Sequence, residues 1–598
     1  MKTRVADYIA QLLQEHGIRH VFSVVGGGAM HLNDAFGNCP GLQVIYNHHE
    51  QASAIAAESY ARVNGIPAAV CVTTGPGGTN AITGVLCAWQ DNIPMIVISG
   101  QVRYDTTVES TGLQLRQFGE QEHYIVDTVK SITKYAVMIT DASSVRYHVE
   151  KAYYLAMQGR CGPVWLDVPL NIQGMTIETE EQKPFVPEKR QNARFSNERL
   201  LRLLRQAERP LILAGSGVRA PGVYEKFRAF IEKAQLPVLA ATSNADILPV
   251  GYPLYFGNFG VFGGRPGNFL VQNADCLLAL GCRLSFKEIG FNYQEFAPNA
   301  VKIMVDADIN ELKKPTIKID MPIWAELGAF FDVLLQEDLS IHTPAEWIDY
   351  GTVLKKRYPI YSEQPSAETK TGVRPYYFYQ QMSKYLRDDA IIVAGNSASA
   401  VEQLQLGIEK DGQRLWGNVS CGTMGYDLPA SLGAAVAGNR QVVCVTGDGS
   451  VQMNIQELAT VAGYGLPVKL IVFSNGGYGA LVQTQNNFFK RLSGCTRDSG
   501  VFLPDFEKLA AAYGYPYVKC SEKDQVPAAL ERFFSNDGFG ICEVVEEPGQ
   551  AIEPKQKSKA LPDGTIFSPP ICDLAPFLNK EEYGRYSNFA AGGWKNAQ

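Results

Sequence analysis

Short apolar runs that end in glycine turns recur along this chain. Val21–Val25 leads into Gly26-Gly27-Gly28, Ala68–Thr73 into Gly75-Pro76-Gly77-Gly78, and Pro94–Ser99 into Gly100. Helix-like stretches lie between them, notably Gln51–Val63. Run, turn and helix in repetition predict a parallel sheet with helices on both faces, because strands buried on two sides read as continuous apolar segments. Pro163–Val168 predicts the last strand of this unit, and the polar, proline-bearing stretch Asn171–Ser196 predicts a linker. The pattern restarts at Pro210–Ala214 and continues through Leu236–Ala241, Cys276–Leu280 and Val301–Val305. After a second polar stretch, Gly351–Arg374, also read as a linker, a third unit holds Ile391–Ala394, Val442–Thr446 and Lys469–Phe473. From about Glu546 the chain turns polar and proline-rich, which predicts an extended tail on the surface with Tyr583–Trp594 as an aromatic anchor. The expectation is an α/β protein of three doubly wound parallel-sheet domains at residues 1–175, 190–345 and 370–548, with a tail at 549–598.

Composition narrows the class of function. A chain of 598 residues exceeds what one core serves. The formal net charge is -7 with 19% charged residues, so there is no electrostatic reason to expect nucleic acid or an anionic membrane. No apolar run reaches transmembrane length. Met1–Ile18 places Ala6, Ile9, Ala10 and Leu13 at helical spacing, and Asp7 and Gln11 interrupt any signal-peptide core. Twelve cysteines are scattered with no CxxC or Cys/His ligand spacing, which argues against zinc and suits a reducing cytoplasm.

The third unit carries the strongest chemical signal. Val442–Thr446 is followed by Gly447-Asp448-Gly449-Ser450 and then by a helix-like stretch, Gln452–Tyr464. Leu470–Phe473 leads into Ser474-Asn475-Gly476-Gly477. Asp448 and Asn475 lie 27 positions apart (475 − 448), each closing a strand, so a parallel sheet brings both to one edge. A hard cation such as Mg2+ takes oxygen ligands, and Asp448, Asn475 and the Gly477 carbonyl would supply the protein's share. A helix starting near Ser450 would aim its amides at phosphate. The plain alternative is a pair of ordinary strand-ending turns.

This arrangement resembles the diphosphate-anchoring motif of thiamine-diphosphate (ThDP) enzymes. The longer string from Gly447 to Thr460, and Gly422-Thr423-Met424-Gly425-Tyr426-Asp427, resemble the acetolactate synthase large-subunit family in particular. So do His49-Glu50-Gln51, Thr73-Thr74-Gly75-Pro76-Gly77, Gly100-Gln101-Val102 and Gly162-Pro163-Val164. The resemblance implies a pyrimidine-binding first domain, a central domain and a diphosphate-binding third domain. It implies Glu50 as the catalytic carboxyl group and Gln121 as an active-site glutamine. It implies cofactor contacts at Gly26, Gly27, Thr74 and Gly75 in the first domain. In the third it implies Asn396, Ser397, Gly422, Met424, Gly447, Gly449, Ser450, Asn475, Gly477 and Tyr478, with Met424 propping the cofactor's bend. It also implies a homodimer or homotetramer with ThDP and Mg2+.

Three positions depart from the family pattern. Glu120 stands where biosynthetic members carry phenylalanine, Thr484 where they carry tryptophan, and Phe286 where they carry aspartate. The implied reaction passes a two-carbon unit from a 2-oxoacid such as pyruvate to a second carbonyl compound. The changes at Thr484 and Phe286 point to an acceptor other than 2-oxobutyrate, such as a larger aldehyde or a keto-sugar. Gly215-Ser216-Gly217 and Gly281-Cys282-Arg283 match positions where some relatives bind FAD. The stretch after the latter lacks those relatives' charged residues, so FAD is not expected. A diketone hydrolase or lyase, an FAD-linked 2-oxoacid oxidase and a catalytically silent subunit remain open alternatives.

Overall fold

The computed structural model describes residues 1–188, 195–361, 371–438, 440–549, 551–560 and 563–597. Three parallel six-stranded sheets with flanking helices make up the chain. In the first, the strands lie in the order Gln43–Tyr46, His20–Ser23, Ala69–Val72, Met95–Gln101, Pro163–Pro169, Ala136–Met138. The third runs Arg414–Gly417, Ile391–Ala394, Val442–Gly447, Val468–Ser474, Gly540–Val545, Tyr517–Cys520. Numbered along the chain, both are 2-1-3-4-6-5, so the two domains share one topology. The central sheet runs Tyr255–Phe259, Val238–Ala241, Pro210–Ala214, Cys276–Leu280, Val301–Asp306, Met321–Trp324. That is 3-2-1-4-5-6, the order typical of dinucleotide-binding folds.

The apolar runs become strands because both their faces are covered: every residue of Met95–Gln101 and Pro163–Pro169 is buried. The first and third domains share one core, in which Ile55 and Trp165 join Trp416, Leu432 and Leu470. Its centre is the packing of helix Glu50–Asn64 on helix Asp427–Ala437. Small residues let these helices touch at the backbone: a Cβ on Gly433 would fall on the Ala56 carbonyl.

Several expectations need correction. Gly351–Arg357 is helical, as the end of helix Ala345–Arg357, because Trp347, Tyr350 and Leu354 form a buried stripe that outweighs its charged residues. Thr176–Glu178 is a strand, antiparallel to Lys2–Arg4, and ties the expected linker back to the N-terminal segment. The remaining linker positions 189–194 and 362–370 lie outside the described residues. The tail is not merely extended over the surface. Helix Lys580–Ser587 and Trp594 close a core of the central domain, where Tyr350 and Trp347 meet Phe589 and Tyr350 donates to the Tyr586 carbonyl.

Candidate active site

Both outer sheets reverse direction between their first and third strands, and ligands of open α/β sheets bind at such a reversal. In the third domain the loops there carry Asn396-Ser397 and Asp448-Gly449; in the first they carry Gly26-Gly27-Gly28 and Thr74-Gly75. Ten of the predicted cofactor contacts belong to the third domain, and they form a connected set. Asp448 is 1% exposed. Its Oδ2 accepts from the backbone amides of Asn475 at 2.9 Å and Gly476 at 2.7 Å, which leaves Oδ1 unengaged by these bonds. Burial pushes its pKa up to about 6 against the pull of those amides. Asn475 donates its Nδ2 to Glu546 Oε2 at 3.0 Å. Gly477 holds φ 157, and a Cβ there would fall on the Cys495 carbonyl, so only glycine fits.

Neighbouring loops brace this set. Ser450 donates to Asp427 at 2.9 Å and accepts from the Gly425 amide at 3.0 Å. Asn396 donates to the Gly422 carbonyl at 2.7 Å, while Ser397 caps helix Ala398–Leu406. The Tyr478 ring lies against Gly449, and Met424, half-buried, precedes Gly425, which packs on Met453. The single helix expected after Ser450 is instead a 3-10 turn, Val451–Asn454, followed by helix Glu457–Gly463. Asn454 is the reason on view: its side chain donates to the Gly425 carbonyl at 2.8 Å and draws that turn onto the Met424 loop. A polar pocket of about 430 Å3 opens beside Asp448, with Arg497, Lys519 and Glu543 in its wall.

The first-domain half is built differently. Glu50 begins helix Glu50–Asn64, is half-buried, and accepts at Oε2 from Asn80 Nδ2 at 3.0 Å. Gly26 and Gly28 pack on Thr73, while Gly27 is exposed. Gly75 and Gln121 both take positive φ, 62 and 61, with the Gln121 carbonyl where a Gly75 Cβ would sit. Thus two segments separated in sequence meet at the backbone. Thr74 donates to Gln101 Oε1, and Gln101 Nε2 donates to Asp167 at 3.1 Å and to the His123 carbonyl at 2.8 Å. Burial holds the Asp167 carboxyl up to about 7. Glu122 clasps the Gln121 loop by accepting from the amides of Val108, Phe118 and Gly119.

Glu120, Thr484 and Phe286 are exposed and lie on separate elements. Thr484 bonds only its own helix in the described contacts, through Ala480, and Phe286 stacks on Phe291 at 5.8 Å. The structure of one chain does not bring these three together. The central sheet's reversal point carries a cavity of about 270 Å3 at the junction of all three domains. Gly215-Ser216-Gly217 and Gly281-Cys282-Arg283 line it, with Arg160 and Arg414 from the flanking domains. Sequence reading missed Asn80 and Glu546. Asn80 stands in the quoted glycine turn's helix and could have been noticed; Glu546 lies 71 positions from its partner and carries no local signal.

Comparison with known proteins fits this layout. Residues 3–125 match the thiamine pyrophosphate enzyme N-terminal TPP binding domain, 197–334 its central domain, and 394–544 its C-terminal TPP binding domain. An acetolactate synthase large subunit from Lactococcus lactis is 33% identical over 92% of this chain and 94% of its own length. The chain belongs to the acetolactate synthase family. Other members include acetolactate synthase 1 of Zea mays, 30% identical over 95% of this chain and 88% of its own. The isozyme 1 large subunit of Escherichia coli is 29% identical over 92% and 95%. The protein is accordingly a thiamine-diphosphate-dependent carboligase of acetolactate-synthase type.

Proposed function

We propose that this member takes a 2-oxoacid donor, pyruvate the leading candidate, releases CO2, and joins the remaining two-carbon unit to a carbonyl acceptor larger than 2-oxobutyrate. The observation that carries the cofactor assignment is the paired geometry of Asp448 and Asn475. Asp448 Oδ2 accepts from two backbone amides and the asparagine nitrogen is held by Glu546, so Asp448 Oδ1 and the asparagine oxygen, which these bonds do not engage, are the proposed Mg2+ ligands. The Gly477 carbonyl is the third protein ligand in this reading. Bound thiamine diphosphate supplies the electron sink for decarboxylation. Glu50 would exchange a proton with the cofactor's ring nitrogen through Oε1, since Asn80 engages Oε2. Gln121, whose backbone is fixed against Gly75, is the proposed partner of the reacting carbonyl.

The working unit in this proposal is at least a homodimer, each site combining the first domain of one subunit with the third of the other. Exposed apolar side chains flank both half-sites and support this: Val25, Leu113 and Phe118 in the first domain, Phe488, Phe489 and Phe502 in the third. FAD is left out. The stretch after Gly281-Cys282-Arg283 reads Ser285-Phe286-Lys287, without the aspartates of FAD-binding relatives. Arg283 also bonds across to Ser420 at 3.1 Å, and Lys287 to the Val419 carbonyl. Twelve cysteines without a disulfide support a reducing cytoplasm. Among the described residues no helix is long and apolar enough to cross a membrane.

The acceptor reading rests on Thr484, where an indole would fill space beside the substrate. Incubating the holoenzyme with labelled pyruvate and paired acceptors, with mass-spectrometric readout, tests the proposal. The expected outcome is labelled CO2 together with a ligated product from the larger aldehyde or ketone. Product without CO2 release would favour the hydrolase or lyase alternative, and acetolactate as the dominant product in every mixture would remove the large-acceptor claim.

A further inference from the structure

Glu546 is a carboxylate in a costly place. It follows strand Gly540–Val545 and extends the ladder by one residue, its amide donating to the Ser474 carbonyl at 3.0 Å. On its other side it pairs with Val373, and Gly372 packs tightly on the Glu546–Glu547 backbone. The main chain is thereby held from two directions, and the residue is 7% exposed. Its side chain reaches one partner of known consequence, the Asn475 amide nitrogen at 3.0 Å. An asparagine side chain presents a donor end and an acceptor end of nearly equal size. Here Glu546 Oε2 takes the nitrogen end, which turns the oxygen end away from it. The backbone of Asn475 is fixed at the same time by its own amide, which donates to Asp448.

We propose that Glu546 is a positioning residue for the divalent cation: it holds the Asn475 amide with its oxygen toward the cation, before cation or cofactor arrives. This rests on the reading of Asp448 and Asn475 as the metal ligands. The two ligands are then oriented by different devices. Asp448 is set by backbone amides, which no side-chain substitution removes; Asn475 is set by one side chain, which a substitution can remove. Without Glu546 the amide is free to rotate and present its nitrogen to the cation, a repulsive contact. Partners of this outer kind are worth about 10–100-fold in metal affinity.

The test is a titration of cofactor-free, EDTA-stripped full-length protein with Mg2+ at fixed thiamine diphosphate, read by near-ultraviolet circular dichroism. Glu546→Val removes the acceptor and is expected to raise the half-saturating Mg2+ concentration by about 10–100-fold. Glu546→Gln keeps an acceptor oxygen and is expected to stay within about threefold of wild type, a rescue that a structural role alone would not give. The melting temperature of stripped Glu546→Val should equal or exceed that of wild type, since a buried carboxylate has been replaced by an apolar group. Asp448→Ala is the control for the underlying reading. If it binds like wild type, the metal-site assignment itself fails. If it loses binding while Glu546→Val stays within twofold of wild type, or Glu546→Gln is as weak as Glu546→Val, the assignment stands and the positioning role is overturned.

Discussion

Asp448 and Glu50 stand at the carboxyl edges of two sheets with the same strand order, yet one is 1% exposed and the other only partly buried. Asp448 is surrounded by its own domain: two backbone amides, a polar turn held by Asn454, and Glu546 behind Asn475. Glu50 has Asn80 and a glycine turn beside it. The difference fits the tasks proposed for the two residues. A hard cation requires oxygens that are fixed in advance. A proton-transferring carboxyl group requires access to the ring it serves and shielding only once that ring is in place. The first kind of half-site can be completed by one domain, whereas the second waits for a cover.

The sharpest break of this comparison is Asp448→Ala. It removes a ligand rather than a ligand's neighbour, so the loss of Mg2+-dependent cofactor affinity should exceed the roughly 100-fold upper figure for outer partners. Calorimetry at saturating Mg2+ measures it, and retained affinity would dissolve the distinction between the halves. Glu50→Gln is the opposite case. Cofactor affinity is expected to stay near wild type while proton exchange at the cofactor's reactive carbon slows by about 10²–10⁴. Deuterium exchange followed by NMR reads this, and wild-type exchange would remove Glu50 from the chemistry.

Asn80→Ala should fall between a structural and a catalytic effect. Losing a donor to a carboxylate costs on the order of 1–3 kcal/mol, a roughly 5- to 150-fold drop in the same exchange rate. Thr484→Trp is expected to shift acceptor preference toward small 2-oxoacids by about 1–3 kcal/mol, read in competition assays. No shift would mean that Phe488 or Phe489 already fills that space. Asp167 bears on stability rather than on activity. Its carboxyl is held up to about 7 in the fold, against an unfolded value of about 4. The folded state therefore binds more protons between these values, and this group's contribution to stability falls as pH rises from about 4 to about 7. Asp167→Asn should flatten that part of the melting-temperature profile; an unchanged slope would place the cause elsewhere.

Much of this was legible in the residues because it is local. A strand, a tight turn and an acid at the turn recur as short strings, and the spacing of Asp448 and Asn475 follows from one strand-helix-strand step. The shared topology of the outer domains left no trace in the chain, since strand order is set by packing and not by repeated residues. Gly351–Arg357 misled by its charges, although Trp347, Tyr350 and Leu354 held the helical spacing. The tail misled because its aromatic residues find partners more than 200 positions away, as Tyr586 does with Tyr350. Glu546 is the same lesson at the site: its meaning lies wholly in the side chain it touches.

The central claim is that the two unlike halves form one site across two subunits, and mixing two dead variants tests it directly. Glu50→Gln and Asp448→Ala would be combined in equal amounts under conditions of subunit exchange and assayed for ligation. In a two-fold symmetric dimer the mixed species carries one doubly damaged site and one intact site, so about a quarter of wild-type activity should return. A mixture as inactive as its parents would contradict the account, because halves joined within a single chain leave every site with one defect.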